Sequence, residues 1–279
     1  MQHQISTQIG GKLFNWKSQT FVMGVINVTP DSFSGDGINL NVDLAVNKAI
    51  EYEKYGCHII DIGGESTRPS ITYNNTSTTS LEIEEERVIP AIEAISKAVS
   101  IPISVDTYKA SIAEKAIQAG ASLVNDVWGF KKDSAMASVV IEHKVPVVLM
   151  HNQNHTFYAD LVNDIVNQLE ELKNNAIKAG VSESNIILDP GIGFGKTVNQ
   201  NIELFRSLER LQDLNSPILI GSSRKSTIGK ILNLPADDRI EGTAATVVIS
   251  ILKGVDLVRV HDVKEIIRVV KMTDAIVRT

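Results

Sequence analysis

The stretch NIILDPGIGFGKT, residues 185–197, admits two readings that lead to different folds. Its second half, with Gly191, Gly193, Gly195, Lys196 and Thr197, looks like a nucleotide-binding loop. That loop has the pattern G-x-x-x-x-G-K-[ST], which needs a glycine at position 190. Position 190 is Pro190. The first half is a short, unbroken apolar run closed by Asp189. Strands buried on both faces read this way. On that reading the stretch is a strand that ends on an acid and leaves through a glycine-rich loop.

The same pattern recurs on both sides: FVMGVIN (21–27), CHIIDIG (57–63), IPISVD (101–106), ASLVND (121–126), VPVVLMH (145–151), SPILIGS (216–222) and VDLVRVH (255–261). Helical patterns lie between the runs. After residue 80, Leu81, Val88, Ile92, Ile95 and Val99 share a face, and Glu84, Glu85 and Glu86 point largely away from it. Pro90 should kink or restart that helix. Residues 161–179 carry Leu161, Ile165, Leu169, Leu172 and Ile177 in register, with Gly180 as the stop. Residues 263–277 form a third clear helix.

Strand and helix alternate eight times with no linker-like gap. This predicts an α/β fold with a parallel sheet, closed as a single-domain (β/α)₈ TIM barrel over residues 21–279, preceded by an N-terminal extension, 1–20. The connection SITYNNTSTTS (70–80) is long and polar, the kind of loop that is usually functional.

Composition narrows the class. The 279 residues are 43% hydrophobic and 22% charged, with net charge −6. No block of Lys and Arg marks a nucleic-acid surface. One cysteine, Cys57, rules out an internal disulfide and fits a reducing compartment. It sits within an apolar run and reads as core. There is neither a signal-like apolar stretch at the start nor a membrane-length apolar run, so a cytoplasmic protein that does not enter membranes is expected.

In such barrels the working residues stand at the C-terminal ends of the strands. Here the runs end at Asn27, Asp61, Asp106, Asn125–Asp126, His151, Asp189, Ser222–Ser223 and Arg259–His261. One such residue is usually a turn former or helix cap; a whole ring of them points to a site. Asp106, Asn125 and Asp189 suit a flat heterocycle bearing ring N–H and amino groups. Arg259, His261 and Lys225 offer positive charge for phosphates. SSRKSTIGK (222–230) opens a helix whose N–H groups could hold an anion. Lys196 and Thr197 read as loop residues, and His151 as a hydrogen-bonding histidine.

NVTPDSFSGDG (27–37), GGESTRP (63–69), SVDT (104–107), LVNDVWGF (123–130), VVLMH (147–151), LDPGIGFGKT (188–197), GSSRKS (221–226) and RVH (259–261) resemble, in order, the motifs of the dihydropteroate synthase family. The resemblance runs from about Phe21 to the C-terminus. It implies condensation of a (7,8-dihydropterin-6-yl)methyl diphosphate with 4-aminobenzoate in folate biosynthesis, with sulfonamides as competitive inhibitors. By that resemblance Asp106, Asn125, Asp189, Lys225, Met150 and Phe194 bind the pterin. Asn27, Thr67, Arg259 and His261 hold the diphosphate, with Asn27 as a Mg²⁺ ligand. Phe33, Thr67, Arg68, Pro69 and Ser226 surround the aminobenzoate. Asp106, Lys225, Arg259 and His261 are the catalytic set, and a homodimer through the last helices is implied.

Three departures fall in the loops: STRPS where the family has STRPG, a longer 70–80 connection, and PDSFSGDG for PDSFSDGG. Residues 65–80 are therefore where altered sulfonamide discrimination would arise. The alternatives are a methyltetrahydrofolate-type pterin-binding domain and a catalytically silent pterin-binding paralogue.

Overall fold

The structure is a computed structural model and describes residues 5–29, 42–65 and 79–278. A hairpin of β1 (Ser6–Ile9) and β2 (Lys12–Asn15) comes first. Eight parallel strands follow: β3 (Phe21–Asn27), β4 (Ile59–Gly63), β5 (Ile103–Asp106), β6 (Leu123–Asp126), β7 (Val147–Met150), β8 (Ile186–Asp189), β9 (Leu219–Ile220) and β10 (Leu257–Val260). Each lies within one of the apolar runs. The hydrogen-bonded order is β8-β7-β6-β5-β4-β3-β10-β9. The last gap is bridged where Leu188 pairs with Ile218 and its N–H donates to the Pro217 carbonyl at 2.9 Å. The barrel is thus nearly closed, as the alternation predicts.

Strand β9 is only two residues long, and the reason is local. Pro217 has no N–H, and the Ile218 N–H is taken by the Asp256 carboxylate at 3.0 Å. Two ladder donors are therefore lost just before the strand.

The helices are α1 (Val42–Tyr55), α2 (Leu81–Ala98), α3 (Ala110–Gln118), α4 (Met136–Glu142), α5 (Leu161–Ala179), α6 (Val198–Arg206), α7 (Ser226–Leu232), α8 (Ile240–Leu252) and α9 (Val263–Val277). Helix α5 stops at Gly180, whose φ of 114° is the left-handed cap a glycine allows. Helix α2 runs through Pro90 without restarting; Pro90 and Glu86, whose carbonyl loses its donor, are both exposed, so water can satisfy that carbonyl. It corrects one expectation. Glu84 does not point away from the protein: it is 1% exposed and takes a hydrogen bond from Thr107 Oγ1 at 2.7 Å.

Two apolar layers hold the fold. The outer one packs Val22, Ile62, Val105, Val124, Leu188 and Val258 against the helices. The inner one fills the barrel with Met23, Ile59, Leu123, Val148, Ile187, Leu219 and Leu257, and it continues into Ile9, Phe14 and Trp16 of the hairpin. The hairpin therefore stoppers the bottom of the barrel. Phe14, Trp16 and Phe21 form an aromatic trio with centroids 4.8–5.6 Å apart. The Trp16 indole donates to Thr7 Oγ1 at 2.8 Å, and Thr7 donates on to the Ser184 carbonyl at 2.6 Å. No helix among the described residues is long and apolar enough to cross a membrane.

Trp16 is 1% exposed and Leu13, in the same hairpin, is 59% exposed. Trp16→Ala is expected to lower unfolding free energy by about 3–5 kcal/mol, and Leu13→Ala by no more than about 0.5 kcal/mol. Denaturant midpoints at unchanged slope would show this; equal shifts for the two would remove the hairpin's role as a stopper.

Candidate active site

Side chains alternate faces along a strand. Since Met23, Ile59, Leu123, Val148, Ile187, Leu219 and Leu257 face the barrel interior, residues two or four places further on do so too, closer to the mouth. These are Asn27, Asp61, Asn125, Met150, Asp189 and Arg259. On β5, Ile103 and Val105 face the helices, which leaves Ser104 and Asp106 inside. Register sets Asn27 beside Gly63, Gly63 beside Asp106, and Asp106 beside Asn125. Met150 stands beside Asp189. The same parity turns Asp126 outward. It is a turn former, accepting from the N–H groups of Trp128 at 2.8 Å and Phe130 at 2.7 Å.

Arg259 does not stand apart from the acceptor residues as a separate phosphate cation. Its Nε donates to Asp61 Oδ2 at 2.6 Å and its Nη2 to Asp106 Oδ2 at 2.7 Å. Asp61 and Asp106 each keep one buried oxygen without a hydrogen-bond partner. Asn125 Nδ2 lies 3.4 Å from Asp61 Oδ2. Burial pushes the Asp106 carboxyl up to about 7; Arg259 opposes this and Asp61 adds to it. Burial also works against the Arg259 charge, but Asp61 and Asp106 hold its pKa above the ordinary value. Asp189 is likewise raised by burial, with Lys225 opposing.

The glycine-rich loop after β8 wraps the other side of the mouth. Asp189 Oδ1 accepts from the Gly191 N–H at 2.7 Å, fixing one carboxylate oxygen. Gly191 has φ of 70°, and a Cβ there would collide with the His151 carbonyl. Phe194 packs with Met150 and Val127. Lys196 is no phosphate ligand. Its buried ammonium donates to the carbonyls of Gly191 and Phe194, both at 3.0 Å, and sits 3.0 Å from His151 Nδ1. Burial lowers its pKa to about 7 and that of His151 to about 2. Thr197 caps α6 in a capping box with Gln200.

The turn after β9 brings in Lys225. Its ammonium donates to the Ile192 carbonyl and lies 4.6 Å from the Phe194 ring centroid. Its stem backs Gly193. Burial lowers its pKa to about 8, with Asp189 opposing. Ser226 is the half-buried first residue of α7. His261 directly follows β10. Burial, and then Arg259, lower its pKa to about 3. Its Nδ1 and its backbone N–H both lie 3.1 Å from Ser223 Oγ. A serine that donates to Nδ1 leaves an N–H on Nε2 as the neutral ring's free donor.

Beside these groups, Lys109 joins the two described ends of the 66–78 connection. Its ammonium donates to Glu65 at 2.8 Å, to the Thr79 carbonyl at 2.8 Å, and to Glu84. Phe33, Thr67, Arg68 and Pro69 lie outside the described residues, as do Asp31, Ser70 and nearly all of the long connection. Sequence reasoning placed Asp61 and Ser223 among the polar strand ends without giving either a partner, read Lys196 as a loop residue, and gave no role to Lys109. The inward parity of Ile59, Asp61 and Gly63 could have turned Asp61 toward the site; the contacts of the others depend on partners elsewhere in the sequence.

Among the described residues no group of three His, Cys, Asp or Glu side chains could hold a metal. Asn27 offers one neutral oxygen. That donor set suits a Mg²⁺ ion carried largely by diphosphate oxygens and water, the usual habit of this ion, and does not suit a metal held by the chain alone.

Residues 23–261 match the family described as pterin binding enzyme. The dihydropteroate synthase of Clostridium beijerinckii is 54% identical, over 97% of this chain and 99% of that protein. The crystal structure of dihydropteroate synthase from Clostridium difficile, determined in the presence of pteroic acid, superposes with a TM-score of 0.91 at 47% identity, covering 95% of this chain and all of that one. The Xanthomonas albilineans dihydropteroate synthase with 4-aminobenzoic acid gives 0.91 at 34% identity over 98% of both chains. With the match running from the first barrel strand to the histidine after the last, and the likeness spanning nearly the whole of each chain, this chain belongs to the pterin-binding enzymes and, within them, to the dihydropteroate synthases.

Proposed function

We propose that the chain condenses (7,8-dihydropterin-6-yl)methyl diphosphate with 4-aminobenzoate, giving 7,8-dihydropteroate and diphosphate, at the mouth formed by Asp106, Asn125, Asp189, Lys225 and Arg259. The observation that carries this is a buried set of acceptors whose spare oxygens face the barrel interior beside two cations. A carboxylate such as Asp189 accepts from a ring N–H and an amino group together. Lys225 donates to a ring acceptor, and Met150 and Phe194 pack on the flat face.

The C–O bond to the diphosphate breaks with its electron pair leaving on oxygen. The Arg259 guanidinium and the neutral His261 N–H face the growing negative charge. Asn27 would be the chain's ligand for Mg²⁺, which when bound neutralises charge on the diphosphate. The electron-rich dihydropterin spreads the positive charge left on the methylene, and the Asp106 carboxylate favours that charge. The aminobenzoate amine then forms the C–N bond and passes its proton to the released diphosphate or to water. Its carboxylate lies near Ser226 and its ring along the stem of Lys225. Thr67, Arg68, Pro69 and Phe33 complete this side by resemblance, and sulfonamides compete for it. No side-chain nucleophile is required; burial pushes the Cys57 thiol up to about 12, which fits a core role. A homodimer through the last helices accords with exposed Ile249, Leu252, Met272 and Ile276 on α8 and α9.

Purified protein with Mg²⁺ and both substrates is expected to release diphosphate and form dihydropteroate, and Lys225→Ala to lower kcat/KM by roughly 10- to 100-fold with the fold intact. That range corresponds to the loss of a charge-assisted contact of about 1.5–3 kcal/mol. Pterin binding without product would refute the reaction, and near-normal turnover in the variant would refute the placement of Lys225.

The pH profile supplies a second check. A lysine with a lowered pKa is charged below that value and neutral above it, so kcat/KM for the dihydropterin diphosphate should fall as pH rises through about 8. A profile flat to pH 10 would contradict this. Chelation of Mg²⁺ should lower kcat/KM yet leave the melting temperature of the free protein unchanged; a large fall in melting temperature would reveal a metal held by the chain itself.

A further inference from the structure

Arg239 lies outside the residues assigned to either substrate. It precedes α8, and among the described residues it takes part in no ion pair. Its donors go to backbone instead. Nη1 donates to the Arg224 carbonyl at 2.8 Å and to the Lys225 carbonyl at 3.3 Å. Nε and Nη2 donate to the Leu234 carbonyl at 3.0 and 2.8 Å. One planar fork therefore grips the chain on both sides of α7. The group lies against Gly229, where any Cβ would overlap the guanidinium. Glycine inside a helix is normally unfavourable, and this contact gives the reason for it here.

The gripped turn is one that local preference does not supply. Arg224 has φ of 59°, a left-handed conformation uncommon for a long side chain. Its own guanidinium is held by Asp262, and its N–H lies 3.3 Å from Thr243 Oγ1. The next residue is Lys225, whose ammonium reaches the Ile192 carbonyl and the Phe194 ring.

We propose that Arg239 is a positioning residue: it fixes the Arg224–Lys225 backbone against α7 and so aims the Lys225 ammonium into the pterin pocket. This rests on the reading of Lys225 given above. A fork that spans three carbonyls cannot be replaced by a point charge, so lysine is no conservative exchange here.

The test uses the whole enzyme with Arg239→Gln, Arg239→Lys, Gly229→Ala and the Gly229→Ala/Arg239→Gln double variant. Each single change is expected to lower kcat/KM for the dihydropterin diphosphate by about tenfold or more, at temperatures far below melting. Gly229→Ala should do so with Arg239 itself intact. The double variant should be no worse than the poorer single, because both changes break the same contact. A second readout is the rate at which an amine-reactive acylating reagent labels Lys225, followed by peptide mass spectrometry. It should change severalfold in every variant while labelling of exposed Lys97 stays constant.

Full activity in Arg239→Gln, multiplicative losses in the double variant, or an unchanged Lys225 labelling rate would overturn the proposal. The labelling arm decides it even if the wild-type protein forms no dihydropteroate, an outcome that would count against the reaction alone.

Discussion

One guanidinium shared between two buried carboxylates holds the centre of the barrel mouth. Asp61 and Asp106 come from adjacent strands and Arg259 from the strand on the far side of β3. Buried pairs of this kind contribute little net stability, because desolvation offsets the attraction, but removing one partner strands a charge and costs about 3–5 kcal/mol. The arrangement is thus better understood as a fixed geometry than as a source of stability. It sets the Asp106 carboxylate and takes up the Nε and one Nη2 donor of Arg259. Burial first, and the same Arg259 charge second, hold the His261 pKa below its ordinary value.

The loops around this centre are secured by cations bound to backbone carbonyls. Lys196 does this for the glycine-rich loop, Lys109 for the base of the long connection, and Arg239 for the turn that carries Lys225. A loop has few ladder partners for its carbonyls, and an ammonium or guanidinium can satisfy several at once. In this way the barrel gives irregular backbone a definite shape without adding secondary structure.

The barrel itself was legible because strands buried on both faces leave apolar runs that helices between them do not imitate. The polar strand ends were legible too, but only strand parity separates inward Asn125 from outward Asp126. Glu84 was misjudged for a physical reason. Helical periodicity assigns a carboxylate to the wet side unless a partner is known, and its partners Thr107 and Lys109 arrive from another unit. Lys196 stood inside a motif that suggested phosphate, while its true neighbours are carbonyls of its own loop. The charge of His261 depends on burial and on Arg259, neither of which a run of letters displays. The hairpin at the start carried a signal of its own, Gly10–Gly11 at positive φ between alternating residues.

That hairpin has a consequence for traffic. Ile9, Phe14 and Trp16 pack onto the lower layer and cover the core at that end, so among the described residues the polar strand ends lie on the opposite face. The short stretch of chain that sits farthest from the chemistry thus helps to decide from which side the site is approached.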